Sequence, residues 1–334
     1  MAAAGKNGRC VLRARAREWP VRFARAPARS TRMPPSHPPP RALPSFSRFA
    51  CCSFGLGNTV RAVVFDWAGT IVDYGSCAPA EAFIETFRRA GVAIDAATAR
   101  GPMGKNKRDH IAEIIYAPHV AAAWAAAHGG RAPAERDVDD VYAAFTPVQV
   151  AAAAARAAPV PGALATLAAL RARGVKVGSC SGYNAAIMEA VVAGARAHGL
   201  AVDAVECAGP ANGRPRPWMS TRVLEALDAY PLHACVKVDD TVPGIAEGLN
   251  AGMWTVGVAR SGNELGLDEA AEAALLARAP AEHARLLAAA RERLRAAGAH
   301  FVIDSVADFM PVVDKIEALQ AAGVSPLHDA AREE

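Results

Sequence analysis

From Val60 onward the chain alternates short apolar runs with helical patterns, and no other feature restricts its fold as much. The runs are Val60-Arg61-Ala62-Val63-Val64-Phe65, Val175-Lys176-Val177-Gly178, Ala204-Val205, Cys235-Val236-Lys237-Val238, Trp254-Thr255-Val256-Gly257-Val258 and Phe301-Val302-Ile303. Helical periodicity fits between them over Gly162 to Arg173, Asn184 to His198, Trp218 to Ala229 and Val242 to Ala251, then in one long stretch from Asp268 to Ala297. Strands that alternate with helices pair in parallel, because a parallel return needs a long crossover. The expected fold class is α/β, a Rossmann-like doubly wound parallel sheet with helices on both faces.

Between the first and second runs lies a segment, roughly Pro79 to Ala158, with helical patterns and no convincing strand. Its Ala121 to His128 and Val138 to Arg156 stretches are alanine-rich and strongly helix-favouring. We read it as an inserted helical cap domain over 79–158, with the α/β core formed by 60–78 and 159–323 and a tail over 324–334. Ligands of open α/β sheets bind beyond the carboxyl ends of the strands, so a cap inserted there covers the site.

Residues 1–59 have a different texture: eight prolines, eleven Lys/Arg and one acid, Glu18. This composition predicts a disordered leader or an over-extended start; a mitochondrial transit peptide is the competing reading, which the prolines disfavour. From Val60 on, 26 basic residues face 32 acidic ones, so the folded part is acidic and offers no nucleic-acid footprint. No run is long and apolar enough to predict a membrane span. The seven cysteines have no metal-ligand spacing and an odd count, which reads as reduced cytosolic thiols and a cytoplasmic protein.

Four sites close the strand-like runs. Asp66, directly after the first, is a candidate nucleophile, although a turn residue is the plain alternative. Ser179-Cys180-Ser181-Gly182-Tyr183 ends the second and opens a helix, offering hydroxyls and N–H groups to an anion, or only an N-cap. Arg214, in Gly213-Arg214-Pro215-Arg216-Pro217-Trp218, is suited to pairing with phosphate if it is not an incidental surface arginine. Asp239-Asp240 places two carboxylates together, costly without a nearby cation unless a metal is bound or solvent reaches them.

The order aspartate, serine, arginine, aspartate resembles the four motifs of the haloacid dehalogenase superfamily. That resemblance implies phosphoryl transfer through an aspartyl phosphate, with Asp66 as nucleophile and Ser181, Gly182 and Arg214 around the phosphoryl group. It also implies Mg²⁺ bound by Asp66, the Ala68 carbonyl and Asp240. Phosphatases of the superfamily carry a general acid two residues after the nucleophile, where this chain has Ala68. Gly101-Pro102-Met103-Gly104-Lys105-Asn106-Lys107-Arg108-Asp109-His110, with Asp66-Trp67-Ala68-Gly69-Thr70 and Arg214-Pro215-Arg216-Pro217-Trp218-Met219, resembles the phosphonoacetaldehyde hydrolase family from about Val60 to Ala322. This implies hydrolysis of a small-molecule phosphonate, phosphonoacetaldehyde, in 2-aminoethylphosphonate degradation. Lys107 then forms a Schiff base, Met103, His110 and Tyr183 bind substrate or move protons, and the enzyme is a homodimer. Another capped phosphatase or phosphomutase is the alternative.

The chemistry gives the lysine a role of its own. A carbanion leaves phosphorus poorly, but an iminium two atoms away accepts its electrons, and no acid at position 68 is then required. The amine must first be neutral, which means bringing a pKa of about 10.4 towards neutrality at about 3–4 kcal/mol. A helix N-terminus, the neighbouring Lys105 and Arg108 and partial burial are expected to push that way. Ser76 stands where other family members carry cysteine, so the adjacent Cys77 receives no role. The last motif lacks the later aspartate common in the superfamily, leaving open whether Asp239 or a water completes the metal shell.

Overall fold

The computed structural model describes residues 11–13, 59–209 and 211–327. The expectation of a disordered leader therefore falls outside the described residues, apart from Thr59 and one short strand, β1 (Val11–Arg13). The remaining strands are β2 (Ala62–Phe65), β3 (Lys176–Ser181), β4 (Ala204–Cys207), β5 (Cys235–Asp239), β6 (Trp254–Val258) and β7 (Phe301–Ile303). They order as β1-β4-β3-β2-β5-β6-β7, parallel throughout except for β1, which runs antiparallel to β4.

Successive side chains of a strand point to opposite faces. Val63 and Phe65 of β2 thus join the large cluster with Val236, Val238 and Val256, while Ala62 and Val64 meet Met219, Val223 and Cys235 on the other face. Both faces are covered, as the near-continuous apolar runs require. The chain order places β2 centrally, with β3 and β5 as parallel neighbours. Phe65 sits level with Ser179 and Val238, so the carboxyl ends of these strands converge immediately beyond Asp66.

Between β2 and β3 the named elements are all helices, five of them before Pro159: α1 (Cys77–Arg89), α2 (Ala96–Arg100), α3 (Lys107–Tyr116), α4 (Pro118–Ala127) and α5 (Glu135–Ala155). Helices α6 (Ala163–Ala172), α7 (Ala185–Ala197), α8 (Trp218–Ala226) and α9 (Val242–Asn250) fall near their expected places. The long stretch from Asp268 is two helices, α10 (Glu269–Arg278) and α11 (Pro280–Ala296). Pro280 lacks an N–H and disfavours a helical residue before it, and Ala279 takes φ −150°. A last helix, α12 (Phe309–Ala321), was not anticipated; it buries Phe309, Val312, Val313 and Ile316 at helical spacing. Among the described residues no helix is long and apolar enough to cross a membrane.

Candidate active site

Asp66, Ala68, Met103, Lys107, Ser181, Gly182, Tyr183 and Arg214 all line one small cavity, with Ser76, Pro79, Gly104 and Thr241 completing it. The site residues expected from sequence are thus brought together, with two set slightly apart. Asp240 is buried beside Asp66, and His110 lies behind the cavity wall.

The cavity exists because the insertion's backbone presses directly on the core. A Cβ on Gly182 would lie 2.5 Å from the Lys105 carbonyl oxygen, and one on Gly104, at φ +91°, 2.3 Å from Thr241 Oγ1. Only glycine fits such contacts. Asn106 then caps α3 by accepting from the Asp109 N–H, so Lys107 is its first residue and starts at the cavity.

The core side is densely ionic. Arg214 donates from Nη2 to Asp66 Oδ1 at 2.8 Å and to the Cys180 carbonyl at 3.1 Å, and from Nε to Glu247 Oε2 at 2.8 Å. Asp239 Oδ2 lies 3.0 Å from Arg214 Nη2 and 3.1 Å from Lys237 Nζ. Burial raises the Asp239 carboxyl, but Arg214 and Lys237 outweigh it and hold the group below its ordinary value. Asp240 has no such help: its oxygens take the Thr70 hydroxyl at 3.1 Å and the Asn263 N–H at 2.7 Å. Burial, then the Asp66 and Asp239 charges, push it well above the carboxylate range. Asp66 is raised as well, mainly by burial, with Arg214 opposing.

Ligand oxygens of Asp66, Asp239 and Asp240 lie within 4.8 Å of one another. Three clustered carboxylates, of which Asp240 lacks a cationic partner, suit a hard divalent cation with oxygen ligands. Such a cation would lie on the Asp66–Asp240 side, because Asp239 is already engaged by Arg214, Lys237 and the Thr241 N–H and hydroxyl. A Cβ on Gly244 would lie 1.9 Å from the Asp239 carboxyl carbon, so that carboxylate fills the space a side chain at 244 would take.

The insertion side is apolar. Lys107 is only 4% exposed. Its Nζ lies 3.9 Å from Met103 Sδ, 5.4 Å from the Phe83 ring centre and 5.1 Å from that of Tyr183. Burial pulls its pKa down to about 7, with Arg214 adding to the effect and Asp66 opposing it. The expected direction is right, and of the expected causes burial is the one that carries it, while the neighbouring cations do not. Lys105 is paired with Glu113, and Arg108 with Glu135 at 2.8 Å and Asp139 at 2.7 Å, so neither acts on the amine, and its burial is nearly complete.

His110 packs on Phe83 with ring centres 3.8 Å apart and the planes tilted by 32°. Its Nε2 is 2.9 Å from the Ala99 carbonyl oxygen, which can only accept, so Nε2 carries the proton. Burial and the Lys107 charge push the ring's pKa well below its usual value. The neutral ring leaves Nδ1 as a buried acceptor with no protein partner. Tyr183 is driven well above its ordinary pKa, by burial first, and stays a phenol.

Sequence reasoning missed Lys237, Glu247, Arg100 and Asn263. It also took Asp239-Asp240 to lack nearby cations, whereas Lys237 and Arg214 both reach Asp239. A signal was present: Lys237 interrupts an apolar run two residues before Asp239, and residues i and i+2 share one face of a strand. Cys180, in the same group, is buried and lies 3.1 Å from Lys237 Nζ and 3.4 Å from Glu247 Oε2.

A buried aspartate at the end of a central parallel strand, with an arginine beside it and further carboxylates clustered with it, fits a hydrolase of the haloacid dehalogenase type. A model of that family, haloacid dehalogenase-like hydrolase, matches residues 60–252. The chain is 49% identical over 268 residues to the phosphonoacetaldehyde hydrolase of Paraburkholderia phytofirmans strain PsJN, covering 80% of this chain and 99% of that protein. It is 47% identical over 276 residues to the enzyme of that name from Aeromonas hydrophila, covering 80% and 95%. Among solved structures, a phosphonoacetaldehyde hydrolase-like protein from Oleispira antarctica superposes with TM-score 0.77 at 40% identity, covering 80% of this chain and 96% of that one. The chain belongs to the phosphonoacetaldehyde hydrolase family of the haloacid dehalogenase-like hydrolases.

Proposed function

We propose that the chain hydrolyses phosphonoacetaldehyde to acetaldehyde and phosphate, with Lys107 as Schiff-base amine and Asp66 as nucleophile. The observation that carries this reading is an amine held near pKa 7 in the same small cavity as the nucleophile, with an alanine where an ester phosphatase needs an acid. The neutral Lys107 amine adds to the aldehyde and loses water to give an iminium. Asp66 attacks phosphorus, the carbon–phosphorus electron pair flows into the iminium, and an enamine and an aspartyl phosphate result. Protonation of the enamine carbon, then water at the imine, frees acetaldehyde and the amine. Water at the aspartyl phosphate frees phosphate.

Around these steps Arg214 opposes the rise that burial gives the Asp66 pKa, and offers Nη1, whose protein acceptor, the Gly104 carbonyl, is distant at 3.5 Å, to a phosphoryl oxygen. The Ser181 hydroxyl and the N–H groups of the Gly182 turn face the same group, and Met103 and Tyr183 enclose the two-carbon end. His110 Nδ1 is the acceptor we assign to proton movement. Asp66, the Ala68 carbonyl and Asp240 are the residues that would hold Mg²⁺, which neutralises phosphoryl charge when bound. We place the reaction in 2-aminoethylphosphonate degradation, in a cytoplasmic homodimer whose helical insertion caps the site. A phosphatase or phosphomutase reading leaves the neutral lysine and Ala68 without a role.

The test is trapping. Borohydride added with phosphonoacetaldehyde is expected to inactivate the chain and leave a reduced adduct on Lys107, mapped by mass spectrometry. Lys107→Arg, whose guanidinium stays charged, is expected to resist trapping and release no phosphate. An adduct on Lys105 instead, or phosphate release from Lys107→Arg, would refute the assignment.

A further inference from the structure

The loop after β6, Ser261-Gly262-Asn263-Glu264-Leu265-Gly266-Leu267, meets three other parts of the chain. Ser261 Oγ donates to the Gly69 carbonyl at 3.0 Å, and the Gly75 N–H donates to the Ser261 carbonyl at 2.7 Å. The Asn263 N–H donates to Asp240 Oδ2 at 2.7 Å. From the insertion, Arg100 at the end of α2 donates from Nη1 to the Gly75 carbonyl at 2.9 Å, the Ser76 carbonyl at 3.2 Å and Asn263 Oδ1 at 3.2 Å. Asn263 Nδ2 answers with a bond to the Arg100 carbonyl at 3.5 Å. A Cβ on Gly266 would come within 2.8 Å of Arg100 Nε, so the guanidinium lies against bare backbone.

These acceptors are carbonyls and an amide, so Arg100 works here as a planar fork of donors that reads position rather than charge. We propose that Arg100 and Asn263 form a latch that couples the seating of the helical insertion on the core to the orientation of the Asp240 carboxylate. This rests on reading Asp66 and Asp240 as the divalent-cation site. Asp240 is aimed by two donors, the Thr70 hydroxyl and the Asn263 N–H. The second comes from a loop whose Asn263 side chain is tied across to the insertion. Lifting the insertion by about an ångström or two breaks hydrogen bonds of this length and frees that donor. By reciprocity, a cation that fixes Asp240 favours the seated insertion, and with it the burial of Lys107 seven residues beyond Arg100. Neither Arg100 nor Asn263 lines the cavity, so both are positioning residues.

The latch is tested on the substrate-free full chain by Mg²⁺ titration calorimetry with wild type, Arg100→Ala, Asn263→Ala, the double variant and Arg100→Lys. Each alanine variant is expected to weaken Mg²⁺ binding about tenfold, as loss of a group that orients a ligand does. The double variant is expected to be no worse than either single, because one latch is broken only once. Arg100→Lys, which keeps the charge and loses the fork, is expected to behave like Arg100→Ala. In a second readout, Mg²⁺ slows acylation of Lys107 by acetic anhydride in wild type and fails to do so in the variants. Melting in chelator separates this from general damage: variants that melt like wild type yet bind Mg²⁺ weakly support the latch. Unchanged affinity, additive losses, or losses that only follow a lowered melting temperature overturn it. If wild type itself binds no Mg²⁺, the cation site is what fails, and the latch falls with it.

Discussion

Lys107 and Lys237 are both buried beside the same cavity, and their amines move in opposite directions. Burial penalises the charge of each. Lys107 faces a thioether and two aromatic rings, and burial pulls its pKa down to about 7. Lys237 pays the same penalty but lies 3.1 Å from Asp239 and 3.6 Å from Glu247, which hold it charged and raise its pKa. Cys180, at 3.1 Å, also favours that charge when ionised, but burial pushes its thiol up to about 11, so near neutrality the carboxylates act alone. Burial alone therefore does not make a lysine a nucleophile; burial without a carboxylate partner does. The site is divided accordingly: in the core half Arg214 and Lys237 hold Asp239 and Glu247 charged even as burial raises Asp66 and Asp240, and in the insertion half burial prevails over the charge of Lys107.

The largest effect breaks the core half at its edge. Asp66→Asn is expected to lower phosphate release by roughly four orders of magnitude or more, as loss of a nucleophile does. The fold should survive, because Arg214 keeps Asp239 and Glu247. Circular dichroism and a melting curve beside the assay check both halves of that statement.

Exchanging the two lysines for methionine sharpens the contrast, because the signs differ. Lys107 has its folded pKa depressed, so the folded state binds fewer protons than the unfolded one between about 7 and 10.5. Its cost is fully present below pH 7 and vanishes as pH rises towards 10.5. Lys107→Met should abolish turnover yet stabilise the fold, on the order of 3–5 kcal/mol at pH 6 and little at pH 10. Lys237→Met should do the reverse, costing about 3–5 kcal/mol at neutral pH by leaving Asp239 and Glu247 short of a cation. Urea unfolding at several pH values measures both, and a stabilising Lys237→Met would erase the distinction.

How much of this division was legible beforehand follows from what each half depends on. Strand-end residues such as Asp66, Ser181 and Asp240 were readable because an apolar run fixes where a strand stops and the sheet then gathers those ends. Lys107 was readable from its motif, and burial as a cause of its low pKa with it, but the idleness of the neighbouring cations was not. Which neighbouring charges are paired elsewhere, as Lys105 and Arg108 are, depends on Glu113, Glu135 and Asp139 coming near through helix packing. Glu247 sat unnoticed in an apolar helix, since its partner Arg214 lies 33 residues away in sequence. The break at Pro280 was readable and passed over. Helix α12 was not anticipated although Phe309, Val312, Val313 and Ile316 carry the period.

A smaller effect concerns the pH profile. If the insertion half sets the working amine, kcat/KM should fall below an acid limb near pH 7, where Lys107 takes up its proton. Phe83→Ser, which opens the apolar wall 5.4 Å from Nζ, should move that limb to higher pH by admitting water to the charged form. A limb that stays put would assign it to another group.

The smallest effect is expected from the region that contributes to neither half. Removing residues 1–57 takes away β1, the one antiparallel strand, which lies outside the 60–252 family match and pairs through three residues with the outer edge of β4. Relatives matched over 99% of their own length correspond to only 80% of this chain, so the family's fold forms without a counterpart to the remainder. On its inner side β4 keeps its parallel register with β3 from Ala204 to Cys207, and Arg222 still reaches Glu206 at 3.2 Å. Loss of one short edge strand should therefore change stability by no more than about 1 kcal/mol and leave turnover unchanged. Melting curves and phosphate-release assays on the shortened chain measure this. A drop of more than about ten degrees would mean that β1 protects the β4 edge in a way three residue pairs do not account for.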